Sequence, residues 1–247
     1  MKSRIRSVIV AFIFLTFGGC SGASQSALTP ASAPLHSRYA SPAIRKEVQT
    51  ETVLHTFAWA DGAVPTSNLI NVDDTLYGTT NQGGINGYGT VFKITKSGKE
   101  TVLYSFAAGT DGQYPYAGLT NVGGTLYGTT VQGGTGNWGT VFKMKLSGKE
   151  AVLYSFKSGA DGINPKAALT NVDGTLYGVT DGGGASGNGT IFAILNLRRE
   201  IVLYAFAGGS DGAEPDAALF KKADGTLYGT TRTGGTSGYG TVYSLSF

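Results

Sequence analysis

The chain has 247 residues and 41% apolar content, enough to bury the core of one domain or two small ones. Its formal charge is only +3, and three of its 19 basic residues, Lys2, Arg4 and Arg6, lie in the first six positions, so the rest merely balance the 16 acidic ones. That balance excludes nucleic acid as a partner, since attraction to phosphate supplies most non-specific affinity, and a single cysteine excludes a disulfide framework.

The first element is a leader. Basic residues open it, residues 8–17 (VIVAFIFLTF) form an apolar run, and Gly18 and Gly19 follow, which together have the build of a secretory signal over residues 1–19. The run is too short to span a bilayer, which takes about 20 residues. Phe17-Gly18-Gly19-Cys20 resembles the lipobox of bacterial lipoproteins, which implies cleavage before Cys20 and a lipid on its sulfur; ordinary cleavage leaving a free thiol is the alternative. Residues 20–50, rich in Ser, Ala and Pro, read as that lipidated cysteine and a flexible linker. The expected location is outside the inner membrane, lipid-anchored to the cell envelope or outer surface.

From residue 51 to residue 247 the chain repeats itself. Asp61, Asp111, Asp161 and Asp211 fall 50 residues apart, as do Pro65, Pro115, Pro165 and Pro215. Gly89, Gly139 and Gly189 keep the same step, and Gly240 is one late because "NVGGTLYG" has become "KKADGTLYG". The string "TLYGTT" stands at residues 75–80, 125–130 and 226–231, with "TLYGVT" at 175–180. Each unit holds four strand-like runs, in the second unit residues 116–122, 125–130, 140–146 and 151–156, here called A to D. Gly-rich and Ser-Gly-Lys segments join them, and no run keeps a helical period.

Four antiparallel strands per repeat of about 45–50 residues mark a β-propeller blade. The predicted fold is therefore all-β, a four-bladed propeller. The repeats begin with a D-type strand at residues 52–57 (TVLHTF) and end after a C-type strand at residues 241–245. The N-terminal strand is thus expected to close the last blade and remove exposed edges, giving a monomeric ring. A stacked solenoid, or two chains sharing a larger ring, are the open alternatives.

The motif set GTVFK, VLYSF, DGxxP, LYGTT and GG, running from about residue 51 to residue 247, resembles the choice-of-anchor tandem repeat family of bacterial surface proteins, the GloVer repeats. A looser likeness to kelch repeats rests on "LY" before "GG". The third unit departs, with Ala193 in place of the Lys of GTVFK and Val179 within LYGTT. The resemblance implies surface exposure and an anchor, and brings no activity with it.

In a propeller the B-to-C and D-to-A loops share one face, the first place to seek a ligand. Tyr88, Trp138, Asn188 and Tyr239 occupy equivalent B-to-C positions, and flat rings there suit stacking on sugar or peptide; packing against the next blade is the simpler reading. Asp61, Asp111, Asp161 and Asp211 could ring an axis and meet a hard cation, although Asp-Gly more simply makes a turn. Trp59 has only small counterparts and reads as local packing. His55 stands where other units have Tyr104, Tyr154 and Tyr204, and reads as a core variant. No cofactor, resident metal or catalytic residue is assigned. The expected role is a binding or interaction module for a polysaccharide or an envelope protein, touching the membrane only through its lipid. The competing readings are a carbohydrate-active enzyme drawing on Asp111, Asp161, Glu214 and Asp216, and a spacer without a ligand.

Overall fold

The computed structural model describes residues 50–196 and 199–246; the leader, Cys20 and the linker up to residue 49 lie outside the described residues. Residues Glu51–Phe247 form one compact unit. Its first sheet contains β1 (Ile70–Val72), β2 (Thr75–Thr80), β3 (Thr90–Thr95) and β4 (Glu100–Ser105). The second contains β5 (Thr120–Val122), β6 (Thr125–Thr130), β7 (Thr140–Lys145) and β8 (Glu150–Ser155). The third contains β9 (Thr170–Val172), β10 (Thr175–Thr180), β11 (Thr190–Leu195) and β12 (Arg199–Ala205). The fourth has β13 (Phe220–Lys221), β14 (Leu227–Thr231) and β15 (Thr241–Leu245). Every sheet runs antiparallel in chain order, so each repeat is one propeller-like blade.

Local chemistry sets these hairpins. The A-to-B turns have positive φ at both central residues, Asp73 and Asp74 in the first unit and Gly123 and Gly124 in the second, the two-residue geometry that matches strand twist. A β-bulge recurs where C meets D, between Val91 and Phe92, Val141 and Phe142, and Ile191 and Phe192. It re-aims the phenylalanine. The ring then lies over the glycine of LYG on the neighbouring strand, where a β-carbon on Gly128 would stand 2.5 Å from the Phe142 ring.

The recurring string can now be read letter by letter. Leu126 and Tyr127 are buried in the core, and Gly128 admits the aromatic ring. Thr129 Oγ1 donates to Ala167 O of the next unit, as Thr79 does to Ala117 O. Thr130 and Thr140 share a hydroxyl hydrogen bond of 2.8 Å, repeated at Thr80 with Thr90, Thr180 with Thr190 and Thr231 with Thr241. These pairs let buried hydroxyls meet their hydrogen-bonding needs. Val179 keeps the burial but gives up the bond to the next unit.

Blades join through one apolar interface. Phe106, at the end of the first unit's D run, meets Phe142 edge to face at 5.2 Å, Phe156 meets Phe192 in the same way, and Phe206 meets Tyr243 at 5.1 Å. Each buried cluster accordingly mixes residues from two neighbouring units. Along the A strands, Thr120 donates to Leu169 O and Thr170 to Leu219 O.

Three expectations need correction. Residues 52–57 are not a strand and do not close the last blade. They lie on the first sheet, Phe57 against Phe92 at 5.0 Å, while among the described residues β15 pairs only with β14, so the sheets do not close into a ring there. The A strands are also shorter than predicted, because Tyr116 O and Ala117 O accept from Thr66 and Thr79 of the preceding unit rather than from β6. Finally, short 3-10 turns at Gly109–Asp111, Gly159–Asp161 and Gly209–Asp211 stand where no helix was predicted.

The residue before each repeat proline has positive φ: Val64 at 56°, Tyr114 at 59°, Asn164 at 54° and Glu214 at 59°. For a β-branched side chain this region is strained. Val64→Asn, which installs the third unit's residue at an exposed site, is expected to raise stability by about 1 kcal/mol. Denaturant titration of the two proteins checks it.

Candidate functional site

The loops at one end of the sheets are stitched into a rim. Within each unit the D-to-A and B-to-C loops meet through an antiparallel bridge, Ala63 with Gln82, Gln113 with Gln132, Ile163 with Gly182 and Ala213 with Thr233. Between units, Tyr114 N donates to Tyr88 O, Asn164 N to Trp138 O and Glu214 N to Asn188 O, each at 2.9 Å. The rim therefore exists without ring closure, because every tie in it is local to one unit or to two neighbours.

The four equivalent rim positions differ in exposure for a simple reason. Tyr88 is half-buried and meets Tyr114 of the next unit edge to face. Asn188 is half-buried beside Gly208. Trp138 is 39% exposed, and Tyr239, over which no further unit lies among the described residues, is 92% exposed. Trp59 belongs with them: it is exposed, its carbonyl accepts from Gly84 N, and its ring faces Gly87 of the neighbouring loop. Its lack of counterparts in the other units concealed this in the sequence.

The four aspartates each accept hydrogen bonds within their own turn. Asp111 accepts Tyr104 Oη at 2.7 Å on one oxygen and Ala107 N on the other; Asp161 and Asp211 do the same with Tyr154 and Lys157 N, and with Tyr204 and Ala207 N. Asp61 accepts Ala58 N. Each carboxylate thus pins the turn that leads into the rim. Glu214 and Asp216 both face Arg232.

The sequence reading missed a glutamate at each blade junction. Glu150, at the start of β8, sits with Tyr104 and Asp111 of the preceding unit, and Glu200 sits with Tyr154 and Asp161. The periodic Glu at the head of every D run was the available signal. Burial first and the Asp111 charge second push Glu150 up to about 7, and burial followed by the Asp161 charge pushes Glu200 up to about 8. Tyr104 and Tyr154 are raised as well, chiefly by burial.

At the first junction His55 replaces the tyrosine, with Nε2 3.2 Å from Asp61 Oδ2. Donor atoms of His55, Asp61 and Glu100 lie within 4.8 Å of one another, the one such group among the described residues. One imidazole and two carboxylates are a donor set that a zinc-type cation accepts, at distances that would require the three side chains to draw inward.

Stability should follow the junction glutamates. Their folded-state values lie above the ordinary 4.5, so the folded chain holds more protons than the unfolded chain across that interval. Their contribution is full below about pH 4.5 and lost as pH rises through about 7 to 8. Unfolding free energy is expected to fall by on the order of 1–3 kcal/mol between pH 5 and pH 8, less than the full shifts imply because solvent reaches both groups. Thermal melts across that range check this, and Glu150→Gln with Glu200→Gln should flatten the slope.

No curated protein matches the chain in sequence. Among solved structures, the extracellular domain of the B. thetaiotaomicron protein BT4673 aligns at 13% identity and a TM-score of 0.54, covering 80% of this chain and 22% of that one. A Bacteroides uniformis protein described as a 6-phosphogluconolactonase aligns at 16% identity and a TM-score of 0.49, covering 74% of this chain and 53% of the other. A third, Bacteroides ovatus xyloglucan PUL GH43B, aligns at 16% identity and 0.43, covering 76% and 40%. This chain therefore spans about a fifth of the first structure and about half of the second. The first likeness supports the propeller-like fold alone. A family model, the Gloeobacter/Verrucomicrobia repeat, matches residues 98–247, more than half of the sequence. With its four fifty-residue units folded as successive blades, the chain belongs to the Gloeobacter/Verrucomicrobia repeat family.

Proposed function

We propose that the chain is a cell-surface interaction module, tethered through lipid on Cys20, whose loop rim binds a polysaccharide. The observation that carries this reading is the exposure of Trp59, Trp138 and Tyr239 on loops whose backbones are held by hydrogen bonds. Large aromatic faces on a fixed frame lose little entropy on binding and stack on the apolar faces of sugar rings. The glycines around them keep the neighbouring surface low. An anchor at Cys20 followed by a Ser/Ala/Pro-rich segment suits a module displayed away from a membrane, and BT4673, a propeller-like neighbour, contributes an extracellular domain.

The test is a glycan array followed by titration with the Glu51–Phe247 unit. Trp138→Ala and Tyr239→Ala are each expected to weaken glycan binding about tenfold or more with an unchanged melting temperature. Saturable capture of an envelope protein with no glycan binding would replace the ligand class. No saturable ligand of either kind would favour a spacer. Labelling with palmitate, abolished by Cys20→Ala, tests the tether separately.

A further inference from the structure

The two ends of the array carry the two halves of an interface that is built three times inside it. At the leading end Leu69 is 49% exposed, whereas its counterparts Leu119, Leu169 and Leu219, each covered by a preceding blade, are 3%, 4% and 5% exposed. At the trailing end β15 has, among the described residues, a strand on one side only, and Val242 is 79% exposed. Tyr204 and Asp211 bond each other there, without the glutamate that Glu150 and Glu200 bring to the two preceding junctions.

The missing piece is present in the chain. Residues 51–57 (ETVLHTF) match residues 100–106 (ETVLYSF) at five of seven positions, and Glu51 heads them as Glu100 heads β4. They already sit as a D run should, since Phe57 packs on Phe92 as Phe106 packs on Phe142. No strand among the described residues pairs with them.

We infer that residues 51–57 of one copy add to the free edge of β15 in a second copy, joining the two chains head to tail. Main-chain pairing extends the three-stranded sheet to four, the exposed Leu69 face closes over Tyr228 and Val242, the fourth-unit counterparts of the Tyr77 and Val91 that cluster with Leu119, and Glu51 falls beside Tyr204 and Asp211 to complete the fourth junction. The occupant is a second copy because residues 51–57 are fixed to their own first sheet, and the exposure of Leu69 and Val242 shows that the two ends of one copy do not meet. Such a contact is heterologous and closes into a ring when the rotation per copy allows it. The monomer expected from a closed four-blade ring rested on a contact that a single copy does not make.

Sedimentation equilibrium of the Glu51–Phe247 unit, from about 1 to 100 µM, tests the inference. The wild type is expected to self-associate. Leu69→Glu and Val242→Glu, at sites exposed in one copy, should each weaken association at least about 30-fold with unchanged melting of the single copy. An equimolar mixture of the two variants should recover a heterodimer, because one leading end and one trailing end remain intact. A monomeric wild type at the highest concentration, association that survives either substitution, or a mixture that fails to pair would each overturn it.

Discussion

Phe142→Ala is expected to lower the stability of the blade array by about 3–5 kcal/mol, a drop of roughly 10 °C in melting temperature for a unit of this size. Phe142 is wholly buried, its ring covers Gly128 across the strand pair, and it receives the edge of Phe106 from the preceding blade. Removing it opens a cavity that neither neighbour can fill. Gly128 has no side chain to lean in, and Phe106 is held by its own strand end. Phe220→Ala, at an exposed aromatic of the same chain, should change stability by no more than about 0.5 kcal/mol. Comparable losses at both positions would show that burial between blades is not what holds the sheets together.

Gly139→Ala is expected to cost about 3 kcal/mol or more, for a different reason. Gly139 has φ of 102°, and a β-carbon there would stand 2.4 Å from Thr130 O and 2.6 Å from Pro165 Cδ of the next unit. A backbone carbonyl and a proline ring cannot turn aside as a flexible side chain can. The same approach recurs between Gly89 and Pro115 and between Gly189 and Pro215, which accounts for the shared fifty-residue step of glycine and proline. Gly174→Ala separates the two components of the cost. Gly174 also has positive φ but nothing near its β-carbon position, so it should lose only the backbone penalty of about 1–2 kcal/mol. Equal losses at the two glycines, read by denaturant unfolding, would leave no role for the joint.

What could be read in the sequence was whatever repeats. The Asp, Pro and LYGTT spacing located strands B, C and D of every complete unit to within one or two residues, because turn chemistry and β-branched runs act locally. Contacts between units were harder to read. Glu150 looked like an ordinary polar residue at a strand start, and only the packing of consecutive blades brings it to Tyr104 and Asp111. The aspartates invited a shared ligand, yet Asp111, Asp161 and Asp211 each accept from the tyrosine seven residues before, and Asp61 lies beside His55. Closure of the ring was inferred from strand bookkeeping, which counts the pieces without fixing the angle between neighbouring blades. Trp59 was hidden for the opposite reason, being a single departure from the repeat in a loop that folds onto Gly87.

The central claim is that each unit's D run ends in an aromatic ring packed on the next unit's C strand, which sets the blades in series. A double-mutant cycle between Phe106 and Phe142 tests this most directly, using Phe106→Leu, Phe142→Leu and the pair in the Glu51–Phe247 unit. The two rings, 5.2 Å apart in neighbouring repeats, predict a coupling energy of about 0.5–1.5 kcal/mol. Strict additivity, with coupling below about 0.3 kcal/mol, would mean the rings do not touch and would contradict the serial packing of the blades.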